Sequence, residues 1–436
     1  MRALYTLLWL IALPFLPLRL WWRGRREPGY RERIGERYGR YPRGERTARA
    51  PVLWVHAVSL GETRAAVPLV ERLHRAHPDA TVLVTHMTAT GRAAGRTLFG
   101  DRVAQAWLPY DVPFAVRGFL AHWNPRVALI METELWPNAI AIVRERGIPA
   151  FLVNARMSER SAAGYARIPS VTRPMLASLS GVAAQSDADA SRLEALGARA
   201  PIVTGNLKFD MRIPDTAAAL GRELRVRFGE TRPVWLAAST REGEEALILD
   251  AIAARGLPPA TLTIIVPRHP QRFAEVANLL SARGIPFVRR SDNAPVPGDI
   301  AVVLGDSMGE MSGYCGAADV VFVGGSLLPL GGQNLIEPIA LGRPTLVGPH
   351  MFNFADATQK ALAARAALEV QDAGALVETL RLLLESPARR AEMAEAALRF
   401  HAAHRGAAER LWQWLAPQLA AGGFAALPNS ASSAPG

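Results

Sequence analysis

Residues 51–86 read PVLWVHAVSLGETRAAVPLVERLHRAHPDATVLVTH, and their reading decides the fold. The run starting at Val52 opens with four apolar, β-prone positions, Val52, Leu53, Trp54 and Val55, and it stops at Ser59-Leu60-Gly61. An amphipathic segment follows, with Val67, Leu69, Val70 and Leu73 at helical spacing. A second apolar run, TVLVTH, closes the unit. Strands that are apolar on both faces and joined by helices belong to parallel sheets covered on both sides. The spacing therefore predicts a β-α-β unit and an α/β protein.

Working outward, the same rhythm continues. Strands are expected in RVALIME (126–132), PAFLVNAR (149–156), VAAQS (182–186) and PIVTGN (201–206), with helices between them. At residues 205–231 the rhythm stops and a charged helical pattern intervenes. It resumes with PVWLAAS (233–239), TLTIIVPRHP (261–270), IPFVRR (285–290), DIAVVLG (299–305), VVFVGGS (320–326) and PTLVGP (344–349). Two doubly wound units are expected, with a cleft between them and ligands at the carboxyl ends of the strands. The expected division is 1–22 membrane anchor, 23–50 basic juxtamembrane segment, 51–210 first domain, 211–231 linker, 232–420 second domain and 421–436 disordered tail.

The chain has 436 residues, a formal net charge of +11 and one cysteine, Cys315. An intramolecular disulfide is impossible, which fits a reducing compartment, and Cys315 reads as a core residue. Residues 19–49 hold eleven Arg and four Glu, a net +7. The remainder is nearly balanced and carries no basic stripe interleaved with aromatics, which argues against nucleic acid. Residues 3–18 carry no charge. With Trp21, Trp22 and the arginines that follow, they read as an uncleaved anchor, spanning or lying in the interface, with the body on the cytoplasmic side.

Polar clusters fall at the ends of the expected strands. In the first half they are Ser59, Gly61 and Glu62; Glu132 and Glu134; Asn154 and Arg156; and Lys208. Glu62 has two readings: an acid that complements a helix start, or a general base for an acceptor hydroxyl. In the second half, Arg268 follows a strand, Ser307 sits in a turn, and Asn334 and Glu337 follow the glycine-rich loop 324–332. Glycines and a helix start favour an anion, a carboxylate in the first turn suits a ribose diol, and Arg268 suits phosphate or carboxylate. There is no GxxxxGK[ST] and no GxGxxG after a strand, so phosphoryl transfer and dinucleotide redox chemistry lose support. No metal-ligand spacing is present. A nucleotide-activated donor facing a carboxylate points to group transfer.

These motifs resemble the 3-deoxy-D-manno-octulosonic acid (Kdo) transferases of Gram-negative bacteria. The resemblance runs in order through the N-terminal hydrophobic segment, WVHAVSLGE, ETELWPN, NARMSERS, GNLKFD, STREGEE, VPRHP, GDSMGEM and GGSLLPLGGQNLIEP. It implies a GT-B fold of two Rossmann-like domains, the acceptor bound by the first and CMP-Kdo by the second. It further implies transfer of Kdo to the lipid A precursor lipid IVA at the inner membrane, in lipopolysaccharide biosynthesis. Inversion, no required cofactor or metal, Glu62 as base, and CMP contacts from Arg268, Ser307, Met308, Gly309, Asn334 and Glu337 come with it. Two positions depart from the family's pattern, Gln333 and Arg241, where His is expected. Two other readings stay open: a different GT-B enzyme (another nucleotide-sugar transferase or an epimerase), and a non-catalytic, membrane-associated nucleotide-binding protein.

Overall fold

The computed structural model describes residues 1–25, 27–42, 50–211, 213 and 215–424. It divides into two units, residues 1–211 with 405–436, and residues 212–404.

The first unit is built on seven strands: β1 (Val52–His56), β2 (Thr81–His86), β3 (Ala104–Trp107), β4 (Pro125–Met131), β5 (Ala150–Ala155), β6 (Gly181–Ala184) and β7 (Ile202–Val203). All are parallel, in the order β3-β2-β1-β4-β5-β6-β7. In β1, Trp54 joins the core on one face with Phe119 and Ile130, while Leu53 and Val55 join Leu69 and Phe151 on the other. Alternation across a pleat buried on both sides explains why β1 opens with an unbroken apolar run.

The second unit repeats the design with β8 (Val234–Thr240), β9 (Leu262–Pro267), β10 (Phe287–Arg289), β11 (Val302–Leu304), β12 (Val320–Val323), β13 (Thr345–Val347) and β14 (Ala367–Glu369). Their order is β10-β11-β9-β8-β12-β13-β14, again all parallel. Cys315 lies fully buried in this core.

Two features differ from the expected division. The helix Asp215–Phe228, expected in a linker, belongs to the second unit. Its Leu224 and Phe228 are buried beside Tyr314 and Val234, and Gly221 lies close against Gly316. The last helix, Ala407–Ala421, was expected in the second domain and belongs to the first. It buries Leu411, Leu415 and Leu419 against the Leu53 face of the sheet. The Asp210 carboxylate fixes its start, accepting from the Gly406 and Ala408 N–H groups at 2.6 Å each. The strands β3 and β14, short edges of their sheets, were not anticipated. Residues 26 and 43–49 of the expected basic segment and 425–436 of the expected tail lie outside the described residues.

The N-terminal segment is helical as Arg2–Ala12, a 3-10 turn Leu13–Phe15 at Pro14, and Leu16–Arg23. This run of 22 residues is long and apolar enough to cross a membrane.

Candidate active site

In the first unit the strand order turns at β1, with β2 on one side and β4 on the other, which opens a crevice at the carboxyl ends of β1 and β4. The chain leaves β1 through Ala57-Val58-Ser59 into the helix Leu60–Ala65, which Ser59 caps by accepting from the Glu62 N–H. Glu62 folds back. Its Oε2 accepts from the Val58 N–H at 2.8 Å, and its Oε1 accepts from the Ser59 hydroxyl at 3.1 Å. This is a capping box displaced by one residue. An added Cβ at Gly61 meets nothing nearer than the Ser59 Oγ at 3.9 Å, so packing does not demand glycine there.

β4 ends beside it and delivers Glu132 and Glu134. Glu132 has a φ of +53°, a conformation that a side chain with a Cβ adopts only when its surroundings hold it. Its carboxylate pairs with the Lys208 ammonium at 2.8 Å. Glu134 accepts from the Trp136 indole N–H at 3.0 Å. Asn154, fully buried at the end of β5 with a φ of +51°, accepts from the Leu207 N–H at 2.9 Å and so secures the turn that carries Lys208. Its side-chain nitrogen is buried without a hydrogen-bond partner. The Arg156 carbonyl accepts from the Thr133 hydroxyl at 2.5 Å, tying the β5 loop to the β4 loop.

The electrostatics separate Glu62 from an ordinary helix-start acid. Burial first, then the charges of Glu132 and Glu134, push its carboxyl up to about 8, against the lowering effect of the Val58 and Ser59 bonds. Burial raises Glu134 to about 7; the Trp136 bond opposes that rise and Glu132 adds to it. Buried carboxyls that share a site resist simultaneous ionisation. The cluster can therefore hold and release a proton near neutrality, which a solvated capping carboxylate cannot do.

In the second unit the corresponding edge lies between β8 and β12. Arg268 follows β9 and donates through Nε to the Gln333 Oε1 at 2.9 Å. Gln333 is held by its own N–H to the Gly324 carbonyl, and Gly332 donates to the Gly325 carbonyl at 2.7 Å. Burial and the nearby charges of Arg268, Arg241 and Arg272 all lower the basicity of His269, so this edge is cationic. The Ser307 hydroxyl donates to Glu310 at 2.5 Å and pairs with the Tyr314 hydroxyl at 2.7 Å. Met308 is exposed beside it, and Gly309 has a φ of +84° with open space where a Cβ would stand. Asn334 accepts from the Ile336 N–H at 3.1 Å, and Glu337 accepts from the Ser312 hydroxyl. Ser312 lies on the helix Met311–Ala317 that the Ser307 turn leads into, so the sequence-predicted set forms one linked group. The helix behind Asn334 is only five residues long, Ile336–Ala340. So short a helix supplies less dipole than expected, while Arg268, Arg241 and Arg272 contribute positive charge at this edge.

One group escaped the sequence reading, and a second, Glu244, is legible in it only as one of the polar residues after the strand 233–239. Trp136 supplies the hydrogen bond that orients Glu134; its signal was Pro137, which opens the next helix. Glu244 is fully buried and accepts from four backbone N–H groups, those of Arg241, Gly325, Ser326 and Leu327, at 2.5–3.0 Å. It fixes the glycine-rich loop from within. Among the described residues no group of three or more His, Cys, Asp or Glu side chains is arranged to hold a metal ion.

The family model for 3-deoxy-D-manno-octulosonic-acid transferase (kdotransferase) matches residues 32–211. A 3-deoxy-D-manno-octulosonic acid transferase of Bordetella pertussis is 47% identical over 95% of this chain and 99% of its own length. One from Haemophilus influenzae is 38% identical over 96% of this chain and 99% of its own. Among solved structures, Anabaena Alr3699/HepE in complex with UDP superposes with a TM-score of 0.59 over 85% of this chain and all of that one, at 15% identity, a likeness of fold alone. With two parallel seven-stranded sheets, an N-terminal apolar helix and relatives this similar over nearly their full length, the chain has the GT-B fold and belongs to the 3-deoxy-D-manno-octulosonic acid transferases.

Proposed function

We propose that this Kdo transferase moves Kdo from CMP-Kdo to lipid IVA with inversion at the anomeric carbon, at the cytoplasmic face of the inner membrane, with Glu62 as general base and no resident metal ion. The observation that carries the reading is the Glu62 carboxyl, buried at the β1–β4 edge and raised to about 8 beside Glu132 and Glu134. In its ionised form it accepts the proton of the acceptor hydroxyl as the oxygen bonds to the anomeric carbon. The bond from that carbon to the phosphate oxygen of CMP breaks, and the electron pair leaves with CMP. Arg268, in the cationic edge of the second unit, offsets the charge that grows on the departing phosphate. Ser307, Met308, Gly309, Asn334 and Glu337 are proposed to hold the nucleotide, and Ser59, Gly61, Arg156 and Lys208 to line the acceptor side, with buried Asn154 holding the Lys208 turn from behind. Arg241 and Gln333 join Arg268 as fixed donors, so the donor anion is held without a titrating imidazole at either position.

The test is Kdo transfer from CMP-Kdo to lipid IVA in buffer containing EDTA, with CMP affinity measured in parallel. The expected result is turnover in the wild type and a loss of about 10²–10⁴-fold for Glu62→Gln, with CMP binding unchanged. Normal turnover by Glu62→Gln sinks the assignment of the base. An inactive wild type sinks the donor–acceptor pair, and activity restored only by a divalent ion sinks the metal-free reading. Product mass counts the sugars added.

A further inference from the structure

The N-terminal helix carries two apolar stripes on opposite faces, each at helical spacing along its whole length. The inner one is Trp9, Leu13, Leu16 and Leu20, less exposed than the rest and ending in Leu20 at 5% exposure. The outer one is Leu8, Ile11, Phe15, Leu18 and Trp22, each more than half exposed.

The inner stripe is pinned to the first unit near both ends. Near its start, the Asn138 side-chain nitrogen donates to the Thr6 hydroxyl at 2.9 Å, and that hydroxyl also lies 3.2 Å from the Asn138 side-chain amide oxygen Oδ1. Arg2 reaches Glu145 at 3.5 Å, and the Trp9 ring lies 5.8 Å from Tyr110 and 6.4 Å from Trp136. Near its end, Arg31 donates to the Trp21 carbonyl at 2.9 Å, and Arg23 lies over the Tyr30 ring at 4.2 Å. Tyr30 is itself buried and stacked on Trp107, the last residue of β3.

A helix of 22 residues is about 33 Å long, the thickness of a hydrocarbon core. If it crossed a bilayer, its two ends would lie on opposite sides. Here both ends hold the same folded unit, so the helix lies along that unit. The outer stripe is then a continuous apolar strip on a protein surface, a feature that marks an interaction face. Its occupant follows from the chemistry at its end. Exposed Trp21 and Trp22 suit a headgroup boundary, and exposed Arg19 and Arg25 suit anionic headgroups.

We infer that the N-terminal helix is a monotopic membrane element: it lies in the plane of an anionic lipid surface with Leu8, Ile11, Phe15, Leu18 and Trp22 immersed, and does not cross the bilayer. This rests on the membrane-associated reading above and decides its topology. The experiment takes the full chain, in which the native Cys315 is buried, as single variants Arg2→Cys and Phe15→Cys on preformed phosphatidylglycerol–phosphatidylethanolamine vesicles. The expected result is vesicle binding that weakens with salt. A membrane-impermeant maleimide should label Arg2→Cys from outside on bound protein, and a fluorophore on Phe15→Cys should be quenched by lipids bearing a shallow quencher. Labelling of Arg2→Cys only after detergent would mean a spanning helix and overturns the inference. So would failure to bind the vesicles, including a dimer sealed through the outer stripe. None of these readouts uses Kdo transfer, so loss of the proposed activity and loss of the proposed topology are told apart.

Discussion

Glu62 makes one side chain serve two demands. Its oxygens satisfy Val58 and Ser59, while burial and two neighbouring carboxyls hold it toward the protonated form. A base must be ionised to act, so the log of kcat/KM should climb with pH and level off above about 8. Glu134→Gln removes one negative neighbour, which lowers the Glu62 value and should move that limb to lower pH; an unmoved limb would mean that Glu134 does not sense Glu62. Linkage gives a second, independent sign. With the folded value raised from 4.5 to about 8, the folded state binds more protons than the unfolded one between those limits. Glu62 therefore costs stability progressively as pH rises through that window, and Glu62→Gln should flatten the corresponding fall in denaturation midpoint. Arg268 is decided by shape as much as charge. Arg268→Lys keeps the charge but loses the planar donor set that meets Gln333, so CMP should bind about tenfold more weakly by titration calorimetry. Spacing in the sequence exposed Glu62 and Arg268 because strand ends are legible. It did not expose the positive φ of Glu132 and Asn154, which follows from tertiary constraint rather than from residue type.

At the scale of elements, the interior strands were legible because burial on both faces writes itself as an unbroken apolar run. The edges were not. β3 is four residues long and β14 three, with Ala104, Gln105, Leu368 and Glu369 all at least partly open, so neither carries a distinctive pattern. The helix Ala407–Ala421 was legible as a helix, but its amphipathic pattern does not say which core its apolar face will meet. That information lies in its partners, above all in Asp210, which accepts from the N–H groups at the helix start. Leu415→Ala should cost about 2–5 kcal/mol of first-unit stability, read from denaturant unfolding. A cost near zero would show that this face contributes no core.

The molecule as a whole consists of a second unit formed from one continuous stretch and a first unit completed by the chain's return at residue 405. The pause in the strand rhythm at 205–231 revealed the two units but not the return, since a crossing chain leaves no local mark. This connectivity yields a prediction unrelated to catalysis. Ending the chain after His404 removes none of the proposed site residues, yet it strips Leu411, Leu415 and Leu419 from the Leu53–Phe151 face and uncovers apolar surface. Scanning calorimetry should resolve the consequence, because a ligand that binds only the folded form raises the transition of the unit it binds. In the intact chain CMP should raise the transition of the second unit. In the shortened chain that CMP-sensitive transition should persist, while the other is lost or falls steeply and the protein becomes prone to aggregate. Retention of both transitions would mean that the first unit's core is complete without the returning helix.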